Sequence, residues 1–410
     1  MHVLVINSGS SSIKFKLYEA GSELLLMSGT VGRIGEDGSY IQCKTQSGEL
    51  LNGQLIPDHA AGLEAIMAAL VGKPFGVLNS LDDISAVGHR AVHGGSLFTG
   101  SVVVDDEVIA KLEECSPLAP LHNPANLMGI LEARRLLPGV PQVAVFDTAF
   151  HQTMPPQAYL YALPYEYYEQ HKVRRYGFHG SSYRFVASRV AEIIGRPIED
   201  VRMVVCHLGN GASMAAIVGG QSVDTTMGLT PLEGLMMGTR SGDIDPGIIF
   251  YLQRHLGMGM DEIDDLLNRR SGFAGISGAG NDLRDIEQRA GEGDERCRLA
   301  IDMYCYRIRK YIGAYAAVMG GIDALVFTGG VGENSSVVRE RVCGGLEFLG
   351  IRVDGQANAD SHAGERAIDG GGVSAVRVLV VPTDEEIVIV RDTMTLTRGE
   401  VAQTVGVVGE

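Results

Sequence analysis

VLVINSGSSSIKFKLYE, residues 3–19, sets an apolar run against a cluster of small polar residues and then restarts with apolar and charged positions in alternation. Period-two alternation reads as strand, and Asn7, Gly9 and the serines reach tight-turn backbone angles cheaply, so the stretch reads strand, turn, strand. The turn has two readings. Either it only closes a hairpin, or its backbone N–H groups, hydroxyls and Lys14 form a cup for a phosphate, which needs many donors and a fixed positive charge. The same design returns in VRMVVCHLGNGASMAAIVGG, 201–220. Two such hairpins, each opening a half of the chain, predict a duplicated α/β domain.

Length agrees with duplication, because 410 residues exceed one average domain. Hydrophobic residues at 45% and charged residues at 20% are those of a globular protein with a sizeable core. Fifty acidic against 34 basic residues give a net charge of −16, which repels nucleic acid and anionic membrane surfaces. An anionic substrate must therefore meet locally gathered cations. The six cysteines have neither zinc-type nor C-x-x-C spacing, and no secretory leader is read, so they are expected to be reduced and cytoplasmic. No apolar stretch approaches the length of a membrane span.

Residues 59–72, 105–115 and 123–137 have helical spacing, the last with Asn123 and Pro124 as cap and first-turn residues. QVAVFDTAF, 142–150, is a buried strand ending in Asp147, at the carboxyl edge where α/β enzymes place reactive groups. A third glycine-rich junction, ALVFTGGVGENSSVVRERV at 324–342, runs from strand into helix. None of the three turns fits G-x-x-x-x-G-K-[ST], which points to phosphates held by hairpins instead of a P-loop.

Between the turns stand GHRAVHGG (88–95), LHNPAN (121–126), FDTAFHQTMP (146–155), RRYGFHGSSY (174–183) and TPLEGLMMGTRSGDIDPG (230–247). Together with NSGSSSIK, HLGNGAS, GGVGEN and PTDEE, from about residue 3 to about 395, the chain resembles the acetokinase family of acetate and short-acyl kinases. The resemblance implies an α/β fold of duplicated actin/Hsp70/sugar-kinase-like (ribonuclease H-like) domains flanking a nucleotide cleft. The expected division is 1–148 plus 386–398 as a substrate and phosphate-side domain, 149–385 as a nucleotide-binding and dimerisation domain, and 399–410 as a flexible tail.

The implied activity is Mg²⁺-dependent, reversible, in-line phosphoryl transfer from ATP to acetate, giving acetyl phosphate and ADP. A carboxylate titrates at about pKa 4–5, so it is already the nucleophile at neutral pH and needs no general base. It needs relief from like-charge repulsion as it approaches a phosphoryl group, which arginine, histidine and a divalent metal supply. By resemblance Arg90 orients the carboxylate and Arg240 bridges it to the transferring phosphoryl. Asp147 holds the arginine geometry or metal-bound groups, and His122 and His179 donate to phosphoryl oxygens. Val92, Leu121, Phe178 and Pro231 form the acyl pocket, with Val92 as its size gauge. Lys14, His207, Gly209, Asn210 and Gly211 belong to the phosphates, and Asp282, Leu283, Arg284, Gly330, Gly332 and Asn334 to ribose and adenine.

Asn7 and Glu385 are the implied support for Mg²⁺, with Mn²⁺ as the alternative ion. The family has Asn before that Glu, whereas Asp384 stands here. A homodimer through the second domain is also implied, with the helical region near 300–320 as contact surface. A propionate or butyrate kinase keeps the same catalytic groups and changes only the pocket. An ATP-driven binding module of the Hsp70 type has no use for Arg90 and Arg240. A sugar kinase requires a carboxylate base for its hydroxyl nucleophile, where cations dominate here.

Overall fold

In the opening hairpin, β1 (His2–Ser8) and β2 (Ser12–Glu19) pair antiparallel, with Asn7 opposite Lys14. Ile13, Phe15 and Leu17 point into the core while Lys14 is exposed and Lys16 half-buried, so the lysines occupy the other face of the sheet. This is a computed structural model, and it describes residues 1–120, 122–360, 362–370 and 374–399.

The chain forms two units, Met1–Gln152 joined by the chain from Asp384, and Thr153–Thr383. In the first, β3 (Leu24–Gly32), β4 (Tyr40–Thr45) and β5 (Gly48–Gly53) extend the hairpin antiparallel. On its other side β6 (Ile84–Ala91) runs parallel to β1, and β8 (Gln142–Phe146) parallel to β6, with the short β7 (Val102–Val103) at the edge. The order is β5-β4-β3-β2-β1-β6-β8-β7. Leu4, Ile6, Ile13, Phe15 and Leu17 pack with Leu63, Ile66 and Leu70 of the helix His59–Val71.

The second unit repeats the plan. β9 (Arg202–Leu208), β10 (Ala212–Val218) and β11 (Gln221–Thr225) are antiparallel. β12 (Ala324–Thr328) runs parallel to β9 and β14 (Arg377–Val380) parallel to β12, with β13 (Arg366–Ala367) last, giving β11-β10-β9-β12-β14-β13. The run β3-β2-β1-β6-β8 of the first sheet corresponds, in order and in strand direction, to β11-β10-β9-β12-β14 of the second. Duplication of the α/β unit is thus carried by topology, although the two halves share little in letters.

Two sequence expectations shift. Residues 149–152, Asp384 and Glu385 group with the first unit, because Gln152 Nε2 donates to the Gly95 carbonyl at 3.0 Å and Glu385 opens the helix Glu385–Thr397, which packs on β6. The helix Asn123–Leu136 has His122, not Asn123, at its N-cap. The Asn123 side chain is drawn away to His93, accepting from its N–H at 3.1 Å and donating to its carbonyl at 2.8 Å. The expected tail beyond Gly399 lies outside the described residues. Among the described residues no helix is long and apolar enough to cross a membrane.

Candidate active site

β6 ends beside β8, and this register brings Arg90 to Asp147, the residue after β8 has closed. The Asp147 carboxylate, 2% exposed, accepts from Arg90 Nε at 2.9 Å and Nη2 at 2.7 Å, a two-point clasp that fixes the guanidinium plane. Nη1 stands 3.8 Å from Glu385, the first residue of the C-terminal helix. Asp147 raises the Arg90 pKa against the cost of burial, so the cation is secure. Burial pushes the Glu385 carboxyl up; Arg90 opposes this, while Asp147 and Glu386 add to it.

Asp384 acts locally, because its Oδ1 accepts from Ile387 N–H at 3.1 Å and caps the helix that presents Glu385. Asn7 lines a cavity of about 350 Å³ with Lys14, Lys16 and Glu386, the neighbour of Glu385 in the chain. Glu386 pairs with Lys16 at 3.2 Å. Among the described residues no group of three or more His, Cys, Asp or Glu is spaced to hold a metal unaided. Oxygen donors with a surplus of carboxylate around Glu385 nonetheless fit a hard divalent ion that takes its other ligands from phosphates and water. Val92 donates its N–H to Asn126 Oδ1 at 3.0 Å, and His122 is exposed at its helix start. Leu121 lies outside the described residues.

In the second unit, Arg240 Nη2 and Nη1 and His179 Nε2 lie 3.5, 3.8 and 3.8 Å from one point, the place a Cβ on Gly211 would take. Arg240 is partly buried; Nη1 donates to the Pro231 carbonyl at 2.9 Å and touches Met237 Sδ at 3.4 Å. No carboxylate pairs with it among the described residues, and burial alone lowers its pKa. His179 sits at φ +58°, uncommon for a non-glycine residue, at the start of the helix Gly180–Ile194. Its Nδ1 is 2.8 Å from Ser213 Oγ, and its ring stacks on His207 at 4.2 Å. His207 Nδ1 in turn is 2.8 Å from Ser182 Oγ. Phe178, next to His179 in the chain, is buried.

A cavity of about 720 Å³ extends from the same turn. It brings together Gly209, Asn210, Asp282, Leu283, Arg284, Gly330 and Asn334 from three separate stretches of the chain, and it is of nucleotide size. The structure adds Gly238, Phe273, Asn281 and Ser335. Asn281 Nδ2 donates to Asn210 Oδ1 at 2.8 Å, and the Gly238 N–H to the Asn210 carbonyl at 2.9 Å. A Cβ on Gly238 would lie 1.9 Å from Asn210 Oδ1, so only glycine lets the Arg240 turn approach the Asn210 turn. Four expected members do not line it: Gly211 faces Arg240 and His179, and His207 stacks on His179. Lys14 belongs to the first unit's cavity, and Gly332 is buried with its carbonyl accepting from Arg339 at 2.9 Å.

A duplicated α/β fold carrying a glycine-edged, nucleotide-sized cavity, and an arginine without a counter-ion among the described residues, suits phosphoryl transfer. Residues 2–391 match the Acetokinase family. An acetate kinase of Thermotoga maritima is 56% identical over 96% of this chain and 98% of its own length. The crystal structure of Porphyromonas gingivalis acetate kinase superposes with a TM-score of 0.93 at 50% identity, covering 97% of this chain and 99% of that one. A propionate kinase from Francisella tularensis gives 0.90 at 40% identity, covering 96% and 99%. The chain belongs to the acetokinase family of kinases.

Proposed function

We propose that the protein transfers the γ-phosphoryl group of ATP to acetate, reversibly, giving acetyl phosphate and ADP. The observation that carries this reading is Arg240, a partly buried guanidinium without a carboxylate partner, aimed with His179 at the glycine turn. A buried cation without a counter-ion is costly, and an incoming anion removes that cost. The acetate oxygen attacks γ-phosphorus, the bond to the β–γ bridging oxygen breaks, and its electron pair leaves on ADP. No proton has to move. Arg90, oriented by Asp147, takes the acetate carboxylate, Arg240 follows the phosphoryl group as charge develops, and His122 and His179 donate to its oxygens. Glu385, with Asn7, would hold Mg²⁺, which would supply neutralisation of phosphate charge. Glycine turns and the 281–284 and 330–334 segments hold the nucleotide.

Val92, Leu121, Phe178 and Pro231 bound the acyl group. The second reading is propionate as acceptor, although the propionate kinase is less alike, at 40% identity, than the acetate kinases at 50–56%. One methylene changes such a preference by about 1–3 kcal/mol. Hydroxamate-trapped acyl phosphate, measured with ATP, Mg²⁺ and acetate, propionate or butyrate, is expected to give the highest kcat/KM with acetate. A maximum at propionate keeps the chemistry and overturns Val92 as the gauge; no acyl phosphate from any acid overturns the function.

The protein works as a homodimer in the cytoplasm, where its six buried, unpaired cysteines stay reduced. The helix Gly247–Leu256 buries none of its residues, and Phe250, Tyr251 and Leu256 are 54, 58 and 62% exposed. Leu299, Met303 and Tyr306 form a second exposed apolar stripe on the helix Glu295–Met319. Such surface is seldom left to water. Light scattering should give twice the chain mass, and Phe250→Glu with Tyr251→Glu should halve it; a monomeric wild type overturns the dimer.

A further inference from the structure

The chain from Thr226 to Pro246 contains neither helix nor strand, yet it carries Pro231 and Arg240. A small ionic cluster fixes its first half. Arg175 Nη1 donates to the carbonyls of Thr225 and Thr226 at 2.8 and 3.0 Å, and Nη2 donates to Glu233 Oε1 at 2.6 Å. The other Glu233 oxygen accepts from the Tyr161 hydroxyl, which itself accepts the Leu229 N–H at 3.0 Å. The chain is wrapped so closely around this carboxylate that a Cβ on Gly228 would lie 1.9 Å from Glu233 Oε2 and 2.2 Å from the Tyr161 hydroxyl.

The two ends of the loop meet. Two residues before Glu233, the Pro231 carbonyl accepts from Arg240 Nη1 at 2.9 Å. Farther on, Asp243 Oδ1 accepts the Gly234 N–H at 2.9 Å, while Gly234 returns its carbonyl to the Asp243 N–H, also at 2.9 Å. Glu233 therefore sits at the centre of a closed loop whose rim holds one wall of the acyl pocket and the arginine assigned to the phosphoryl group. Burial works against the Arg175 charge, and Glu233 first, then Tyr161, Tyr315 and Asp224, hold it in its charged form.

We propose that Glu233, clamped by Arg175 and Tyr161, is a positioning residue that sets Pro231 and Arg240 for phosphoryl transfer. It touches no reacting atom. This rests on the proposed kinase activity, which gives Arg240 its role. Glu233→Gln keeps the shape, removes the charge that Arg175 answers, and frees the loop to move.

A displacement of about 1 Å at a reacting group costs roughly 100-fold, so Glu233→Gln should lower kcat/KM for acetate by about that factor. Tyr161→Phe, which leaves the Arg175 clasp in place, should lose less, and the double variant should lose no more than Glu233→Gln alone, because both act through one carboxylate. ADP affinity by calorimetry should stay within about twofold of wild type, since the nucleotide cavity has other walls. Inorganic phosphate, a probe for Arg240 that requires no turnover, should bind more weakly to both variants.

Unchanged kcat/KM in folded Glu233→Gln, or an equal fall in ADP affinity, overturns the proposal. Where Glu233→Gln does not fold, Tyr161→Phe decides by the same readings. A wild type that makes no acyl phosphate overturns the kinase reading instead, and phosphate affinity then tests the positioning role alone, an unchanged value counting against it.

Discussion

Arg240→Ala is expected to lower phosphoryl transfer by about 10³-fold or more, the scale on which an arginine bound to a transferring phosphoryl group acts. Nucleotide binding should survive. Arg240 does not line the nucleotide cavity, whose contact with its loop runs through the backbone of Gly238 to Asn210. The same change carries an unusual expectation for stability. Truncating a partly buried side chain ordinarily destabilises, but here the side chain is a charge without an acid partner, whose burial alone works against it. Removing it deletes a desolvation cost along with one hydrogen bond to Pro231, so Tm should hold or rise. Arg240→Lys keeps a charge but not the planar fork, and should recover only a small part of the rate. Acyl phosphate formation, equilibrium binding of a non-hydrolysable ATP analogue and thermal unfolding check the three statements. An equal loss of nucleotide binding, or a fall of several degrees in Tm, would make Arg240 a structural residue.

What can be read from the chain alone is what local chemistry fixes. Both hairpins, 3–19 and 201–220, are legible because alternation and turn residues act within a few positions, and their repetition points to a duplicated plan that the strand orders share. HLGNG and GGVGEN read as glycine turns, Asp282, Leu283 and Arg284 are placed by family resemblance, and the structure sets residues of all three stretches around one cavity. The misses are long-range pairings. Asn123 looks like a cap, but its side chain is claimed by His93, thirty residues earlier. Asn281 and Gly238 stand in or beside quoted segments without a role legible there, and their places are set by Asn210, seventy-one and twenty-eight residues away. Glu233 stands inside TPLEGLMMGTRSGDIDPG without a role legible there, since its partners Arg175 and Tyr161 are 58 and 72 residues distant. Asp384 reads in sequence only as a departure from the family's Asn before Glu385, and its bond to Ile387 N–H makes it the cap of the helix.

Asp147→Asn is the change that separates the two roles open to Asp147, holding Arg90 or holding metal-bound groups. The amide fits the same space, but it cannot accept two charged donors with both ends, so Arg90 loses its clasp. The nearest remaining carboxylate is Glu385, 3.8 Å from Nη1. Arg90 is then expected to swing onto Glu385, away from the acceptor and onto the group proposed for Mg²⁺. Breaking a largely buried pair from one side should cost about 2–3 kcal/mol of stability, toward the low end because the Arg90 side chain is 24% exposed. Activity should fall by about 100-fold with a raised KM for acetate, because orientation of the carboxylate is what is lost. The required Mg²⁺ concentration should rise as well, through occupation of Glu385. The deciding comparison is with Arg90→Ala. If Asp147 works by holding Arg90, the double variant should be no worse than Arg90→Ala, and its Mg²⁺ requirement should return toward wild type because no guanidinium remains to cover Glu385. If Asp147 serves the metal directly, the two losses should multiply and the Mg²⁺ requirement should stay high with Arg90 gone. Initial rates over a Mg²⁺ and acetate grid for the four proteins distinguish the outcomes, and multiplicative losses would overturn the clasp as the reason for Asp147.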